Sequence, residues 1–304
     1  MGKKVLILSG GGGKGSFQAG VIEQLHNSGW RPDVVAGVSV GALNGAMVAT
    51  GRAGRLTGLW RNIHPGMVYR QRGAVRTGWR YLLHKVGVKK PTLGYFDNSP
   101  LFETLRNNMG NRFITDFYCG SVNISTGVYY DHKGIKGGVT TNMVPQIVAS
   151  TAIPLVFDPV TIRKFGGSDS VHVDGGVRHM SPIGSVLKNY EPDEVVIVTC
   201  TPYFKDWTTE KPARDLIEIA KNSMDILLSE IFEKDIREFK RINKLVRQAN
   251  EQGFGLINGS GRRYTDYKAA LYQPSESLGD SLNFTSHQAL RNIDIGLNAK
   301  PIEL

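Results

Sequence analysis

Gly37-Val38-Ser39-Val40-Gly41 sets a serine between two glycines, after the apolar run Val34-Val35-Ala36 and before the helix-compatible stretch Ala42 to Ala49. A strand that turns sharply into a helix at such a point lifts the hydroxyl clear of the sheet. The helix then directs its positive end toward charge developing at an attacked carbonyl. Gly37 and Gly41 supply the small neighbours that a strained turn needs. The chemistry that fits is nucleophilic attack by Ser39 on an acyl group.

An attacking hydroxyl needs a base. Asp174-Gly175-Gly176 offers a carboxylate, although Asp and Gly are also what an ordinary turn uses. A reference pKa of about 3.9 makes aspartate a weak proton acceptor near neutrality, so proximity and oxyanion stabilisation would have to carry much of the rate. Histidine is the natural rival. His132, His172, His179 and His287 all follow Ser39, and a serine hydrolase could use His179 or His287 after Asp174. His172 stands two residues before Asp174, so on an extended strand the two share a face, and it is the first histidine to test.

A second glycine cluster, Gly10 to Gly13 with Lys14 and Gly15, directly follows the apolar run Lys4 to Leu8. Residues without side chains let backbone N–H groups converge on an anion, either a phosphate or an oxyanion. Gly10, Gly12 and Gly15 satisfy dinucleotide-binding spacing, but that use wants an acid at the end of the second strand, where this chain runs into Ser39. The phosphate-loop pattern fails too, because Lys14 precedes Gly15 instead of Ser or Thr.

Taken in order, Gly10 to Gly15, Gly37 to Gly41 and Asp174 to Gly176 resemble the three signatures of patatin-like phospholipases. Ala149-Ser150-Thr151-Ala152-Ile153-Pro154 is similar to a fourth stretch of that family, and Pro274 to Phe284 to its closing segment. The resemblance implies a Ser-Asp dyad in which Ser39 attacks an acyl ester and Asp174 takes its proton. It implies an oxyanion hole of the Gly11, Gly12 and Gly13 amides with Lys14 steadying the loop, and Gly37, Gly41, Gly175 and Gly176 as supports. No metal or cofactor is implied. The substrate class is a phospholipid or another lipid ester, cleaved in the manner of a phospholipase A or lysophospholipase. The alternative is a module on the same fold that binds lipid or nucleotide without catalysis.

Positioning these residues requires strands that end where the motifs begin. Two strand-turn-helix units open the chain and argue for an α/β fold, a mainly parallel sheet with helices on both faces. Phe117 to Ser125 and Val128 to Asp131 read as a strand pair, Val144 to Ser150 as a short helix, and Val195 to Thr199 as a buried strand. A long packing helix is expected over 213–250, with Leu216, Ile219, Ala220, Leu227, Ile231, Phe239 and Val246 among its apolar positions. A strand at Lys268 to Tyr272 and a helix at Ser286 to Leu297 follow. The 304 residues are read as one domain, with 51–95 as a basic cap or insertion.

Charge singles out that insertion. No acidic residue lies between Asp33 and Asp97, while Arg52, Arg55, Arg61, Arg70, Arg72, Arg76, Arg80, Lys85, Lys89 and Lys90 do, so this segment carries the whole net charge of +10. Trp60 and Trp79 are interleaved with it, a mixture suited to anionic membrane. Arg70, Arg72, Arg76, Arg80, Trp60 and Trp79 are therefore the membrane-contact candidates, and nucleic acid is the less favoured polyanion. No apolar run approaches the roughly 18 residues of a membrane span, and the run ending at Leu8 is too short for a signal peptide. A cytoplasmic protein, peripheral on the inner membrane surface, is the expectation. Cys119 and Cys200 lack paired-ligand spacing, so a disulfide or zinc site is not expected.

Overall fold

The computed structural model describes residues 3–72, 94–163, 168–179, 182–202 and 216–304 apart from 258, 260 and 262. Its centre is five parallel strands, β1 (Lys4–Leu8), β2 (Val34–Gly37), β5 (Asp116–Asn123), β9 (Glu194–Val198) and β10 (Lys268–Tyr272). They are short and nearly all apolar because helices cover both faces and leave no solvent-facing alternation. Antiparallel strands finish the sheet: β6 (Tyr129–Gly134), β7 (Val160–Ile162), β8 (Ser170–Asp174) and β11 (Ile302–Glu303). Among the described residues the order is β11-β10-β9-β1-β2-β5-β8-β7, with β6 also on β5. A separate ribbon pairs β3 (Arg70–Gln71) with β4 (Phe96–Asp97).

Alternation along each strand divides the core in two. Leu6, Leu8, Val35, Phe117 and Val198 face α1 (Gly15–Asn27), α2 (Val40–Ala49), α3 (Leu56–Arg61), α4 (Ser99–Asn108), α5 (Val144–Ala149) and α8 (Ser286–Leu297). Val5, Ile7, Val34, Ala36 and Ile197 face α6 (Ile183–Asn189) and α7 (Leu216–Glu251). The long helix is present as expected, and it buries Phe232, Ile236, Phe239 and Val246, one stripe at helical spacing. Ile219 and Leu227, expected on that stripe, lie on the solvent side.

Strand pairing around β5 decides where the chemistry sits. β6 pairs with Phe117 to Val122, β2 with Asp116 to Cys119, and β8 with Ser121 to Asn123. Two strands cannot share one edge over the same residues. β2 and β8 therefore lie end to end on the edge opposite β6, and because β8 runs antiparallel, their carboxyl ends point at each other across Gly120. Gly37 pairs with Cys119 and Asp174 with Ser121.

The basic segment divides likewise. From Gly51 to Arg72 it is folded against the core: Leu56, Trp60, Ile63 and Val68 are buried. Trp60 is a core residue whose indole N–H donates to Asn44 Oδ1 at 3.0 Å, so it offers nothing to a membrane, against expectation. Arg72 is corrected as well. Its guanidinium forks onto Asp158 and lies 3.8 Å from Asp97, tying β4 to the turn before β7. Arg70 stays exposed, whereas Arg76, Arg80 and Trp79 lie outside the described residues.

Candidate active site

Ser39 leaves β2 and caps α2 with φ 57° and ψ −130°, a strained backbone for a residue with a side chain. The turn is crowded on both sides by main chain. A Cβ on Gly37 would stand 2.1 Å from Gly41 O, and one on Gly41 would stand 2.3 Å from Leu8 O, so neither position accepts a side chain. What holds the strained residue is its own N–H, donated to Ser150 Oγ at 3.1 Å in a fully buried contact.

Asp174 arrives from the opposite direction. Its N–H donates to Ala152 O at 2.9 Å, and Gly176 N–H donates to its Oδ1 at 2.7 Å. Gly175 has to be bare, since its Cβ would meet Gly120 O at 2.4 Å and the Val38 side chain at 3.2 Å. The three residues Ser150 to Ala152 thus hold both halves of the pair, one through a hydroxyl and the other through a carbonyl. Asp174 Oδ2 is sealed from solvent and has no partner within bonding distance, while the Ser39 hydroxyl still exerts a pull on the carboxylate. Burial outweighs that pull and the Gly176 bond, and raises the Asp174 pKa to about 7. A carboxyl raised to that range is better matched to proton transfer near neutral pH than a reference aspartate.

The rival histidines are otherwise engaged. His172 does share a face with Asp174, but its Nδ1 bonds Ser121 Oγ at 2.8 Å and its Nε2 bonds Ser170 Oγ at 2.9 Å. His132 Nε2 bonds the same Ser121 hydroxyl at 2.7 Å, and burial followed by the neighbouring His172 lowers its pKa to about 4. His179 is exposed and stacks edge-on against Tyr129, and His287 is exposed on α8.

The glycine loop follows β1, whose end at Leu8 and Ser9 lies against the start of α2. Gly12 has φ 57°, and a Cβ there would stand 2.2 Å from Ser281 O. Among the described residues, Gly11 and Gly12 N–H make no backbone hydrogen bond outside the helices and strands. Gly13 N–H, expected to line an oxyanion hole, instead donates to Ser281 O at 2.7 Å and ties the loop to that segment. Lys14 closes the loop through its N–H to Gly11 O at 3.2 Å, and its charge partly offsets the burial that raises the Cys200 thiol to about 12.

From Ser39 an apolar pocket of about 840 Å³, counting its open mouth, runs between α2, α3, α4 and the 278–284 segment. Leu43, Met47, Trp60, Leu105 and Phe157 are among its walls. Its polar wall residues turn their hydrogen bonds into the protein: Asn44 to Gly15 O and Gln18, Thr104 to Met67 O, Thr151 to Val148 O. The space beside Ser39 is therefore suited to a hydrocarbon chain.

The patatin-like phospholipase family model matches residues 6–187, from β1 through Ser39 and Asp174 into α6. The chain belongs to the patatin-like phospholipase family. It is 29% identical over 185 residues to lysophospholipase nte1 of Aspergillus terreus, covering 59% of this chain and 11% of that protein. It is 33% identical over 190 residues to lysophospholipase NTE1 of Phaeosphaeria nodorum, covering 60% and 12%. The chain thus spans about a tenth of the length of these relatives. VipD from Legionella pneumophila matches in structure with TM-score 0.39 and 14% identity over 98% of this chain and 65% of that one.

Ser150 escaped the sequence reading as a positioning residue. Its only signal was a place among the small residues of the Ala149 to Pro154 stretch. Ser150→Ala leaves the buried Ser39 N–H without an acceptor, worth about 1–3 kcal/mol. If that loss falls on the nucleophile's alignment, kcat for a soluble ester should drop roughly tenfold to a hundredfold with KM little changed, as steady-state kinetics would measure.

The Asp174 pKa also has a stability consequence. The unfolded carboxyl releases its proton near 3.8 and the folded one near 7, so between those values the folded state binds more protons and stability falls as pH rises. Asp174→Asn removes this slope. In urea titrations the variant should gain stability over wild type as pH rises from about 4, levelling above about 7 at a few kcal/mol. Parallel curves for the two proteins would contradict the raised pKa.

Proposed function

We propose that this chain is a serine hydrolase of lipid acyl esters, of the phospholipase A or lysophospholipase type. One observation carries the proposal: a strained Ser39 facing a buried, half-unpaired Asp174 at the foot of an apolar pocket. The acyl chain lies among Leu43, Met47 and Leu105 and presents its ester carbonyl to Ser39. Ser39 Oγ attacks, Asp174 Oδ2 takes the hydroxyl proton, and the oxyanion forms against the Gly11 and Gly12 amides and the amino end of α2. Asp174 returns the proton to the leaving alcohol. In the second half, water gives a proton to Asp174 as it attacks the acyl-enzyme, and Asp174 passes that proton to Ser39 Oγ as the acyl bond breaks, releasing the fatty acid and restoring both side chains.

The named activity of the fungal relatives, lysophospholipase, supports a lipid ester as substrate. It does so for proteins of which the matched region is only 11–12% of the length, so head group and acyl position are left to experiment. Among the described residues no helix is long and apolar enough to cross a membrane.

Ser39→Ala and Asp174→Asn should each abolish release of fatty acid from lysophosphatidylcholine while far-UV circular dichroism stays unchanged. The double variant should be no slower than either single one, because both remove the same proton-transfer unit. Full activity in Asp174→Asn, with loss in His172→Ala, would place the base elsewhere.

A further inference from the structure

A run of glycines clears space for close backbone contact but brings little of its own to hold a shape. In the loop after β1 the internal bonds are Lys14 N–H to Gly11 O, Gly15 N–H to Gly12 O and the Ser16 hydroxyl to Gly13 O. The main chain of 281–283 lies on this loop from outside. Ser281 O accepts Gly13 N–H at 2.7 Å, and Cβ atoms on Gly12 and Gly13 would stand 2.2 Å from Ser281 O and 2.3 Å from Asn283 O. The loop therefore takes its shape from the turn that covers it.

One side chain grips that turn at both ends. Gln288, buried in the first turn of α8, donates from Nε2 to Asp280 O at 2.9 Å and to Asn283 O at 3.2 Å, and its Oε1 accepts Asp280 N–H at 3.2 Å. The amide thus uses donor and acceptor together to span 280 to 283, and Ser281 O lies between the gripped ends. Gly279, with φ 84°, has to be bare, since a Cβ there would stand 2.5 Å from Gln288 Oε1. Two neighbours brace the same turn: Asn292 Nδ2 donates to Leu278 O at 3.1 Å, and Asp225 Oδ1 accepts the Ser281 hydroxyl at 3.0 Å. All of these residues lie beyond the matched 6–187, so the loop after β1 is supported from outside the segment that carries Ser39 and Asp174.

We propose that Gln288 is a positioning residue for the oxyanion site, holding the 280–283 turn so that Ser281 O fixes Gly13 and, through it, the direction of the Gly11 and Gly12 amides. The proposal rests on the reading of Ser39 as the nucleophile of an ester hydrolase whose oxyanion meets those amides. Charge on that oxygen exists mainly in the transition state, so a loosened loop costs turnover more than substrate binding. The same turn walls the pocket through Leu282 and Phe284. A residue that only shaped the pocket would instead raise KM when lost.

Gln288→Met keeps the length of the side chain and removes all three bonds, and Gln288→Glu keeps the acceptor for Asp280 N–H while setting a charge against two carbonyls. In each variant kcat for a soluble short-chain ester should fall roughly tenfold or more, with KM within about twofold of wild type. Affinity for a trifluoromethyl ketone with the same acyl chain should fall by a similar factor. Ser39 Oγ adds to the ketone carbon, the hydroxyl proton passes to Asp174, and the carbonyl oxygen becomes an anion held as the transition-state oxygen would be. Amide hydrogen exchange should quicken at Gly11 to Gly13 and keep its wild-type rate in β1 and β2. A raised KM with unchanged kcat would overturn the proposal, as would a fall in kcat without faster exchange in the loop. Faster exchange throughout the chain with a lower melting temperature would also overturn it, by marking a structural role. If wild type neither hydrolysed the ester nor bound the ketone, the hydrolase reading would fail, while the exchange measurement would still decide whether Gln288 holds the loop.

Discussion

Two strands meeting head-on along one edge of β5 are the constraint from which the rest of the site follows. β2 and β8 approach with their carboxyl ends separated by Gly120, so the residues that leave them are forced together. One strand must turn up into a helix and the other into a short 3₁₀ turn, and those turns begin at Ser39 and Asp174. Room at the junction is so limited that Gly175 stacks on the Gly120 carbonyl and Gly37 on that of Gly41. The segment from Ser150 to Ala152 bridges the two turns and fixes their separation.

The same crowding sets the electrostatics. A carboxylate enclosed between two turns loses its water and keeps only the Gly176 amide and the pull of Ser39. Its preference for a proton rises accordingly, which is the property a lone aspartate base requires. His132 and His172 lie apart from this pair and share the Ser121 hydroxyl. The glycine loop depends on a more distant partner. Ser281 accepts Gly13 N–H through its carbonyl and donates its own hydroxyl to Asp225 on α7 at 3.0 Å, so the long helix is linked to the loop through one residue.

Much of this was legible in the sequence. Short apolar runs ending in glycine motifs gave β1 and β2 with the turns that follow them, and the limits of β10 and α8 agree with the periodicity. The face shared by His172 and Asp174 was also readable from strand alternation. The junction itself was not, because it depends on β8 running antiparallel and sharing an edge with β2, a long-range pairing that no local pattern encodes. Burial of Asp174, and so its pKa, follows from that pairing. Trp60 and Arg72 were misassigned to the surface for a related reason: a tryptophan or arginine in a basic stretch looks exposed until its partners, Asn44 and Asp158, are brought in from other parts of the chain.

The central claim is that Ser39 is activated by Asp174 acting as a base whose pKa burial has raised to about 7. It is tested most directly by the rate at which a fluorophosphonate labels Ser39 across the range from about pH 5 to about pH 9, which reports the first half-reaction without lipid or vesicle. The account predicts one rise centred near pH 7 that is kept in His172→Ala and replaced by a low, flat rate in Asp174→Asn. A rise that survives in Asp174→Asn, or disappears in His172→Ala, would contradict it.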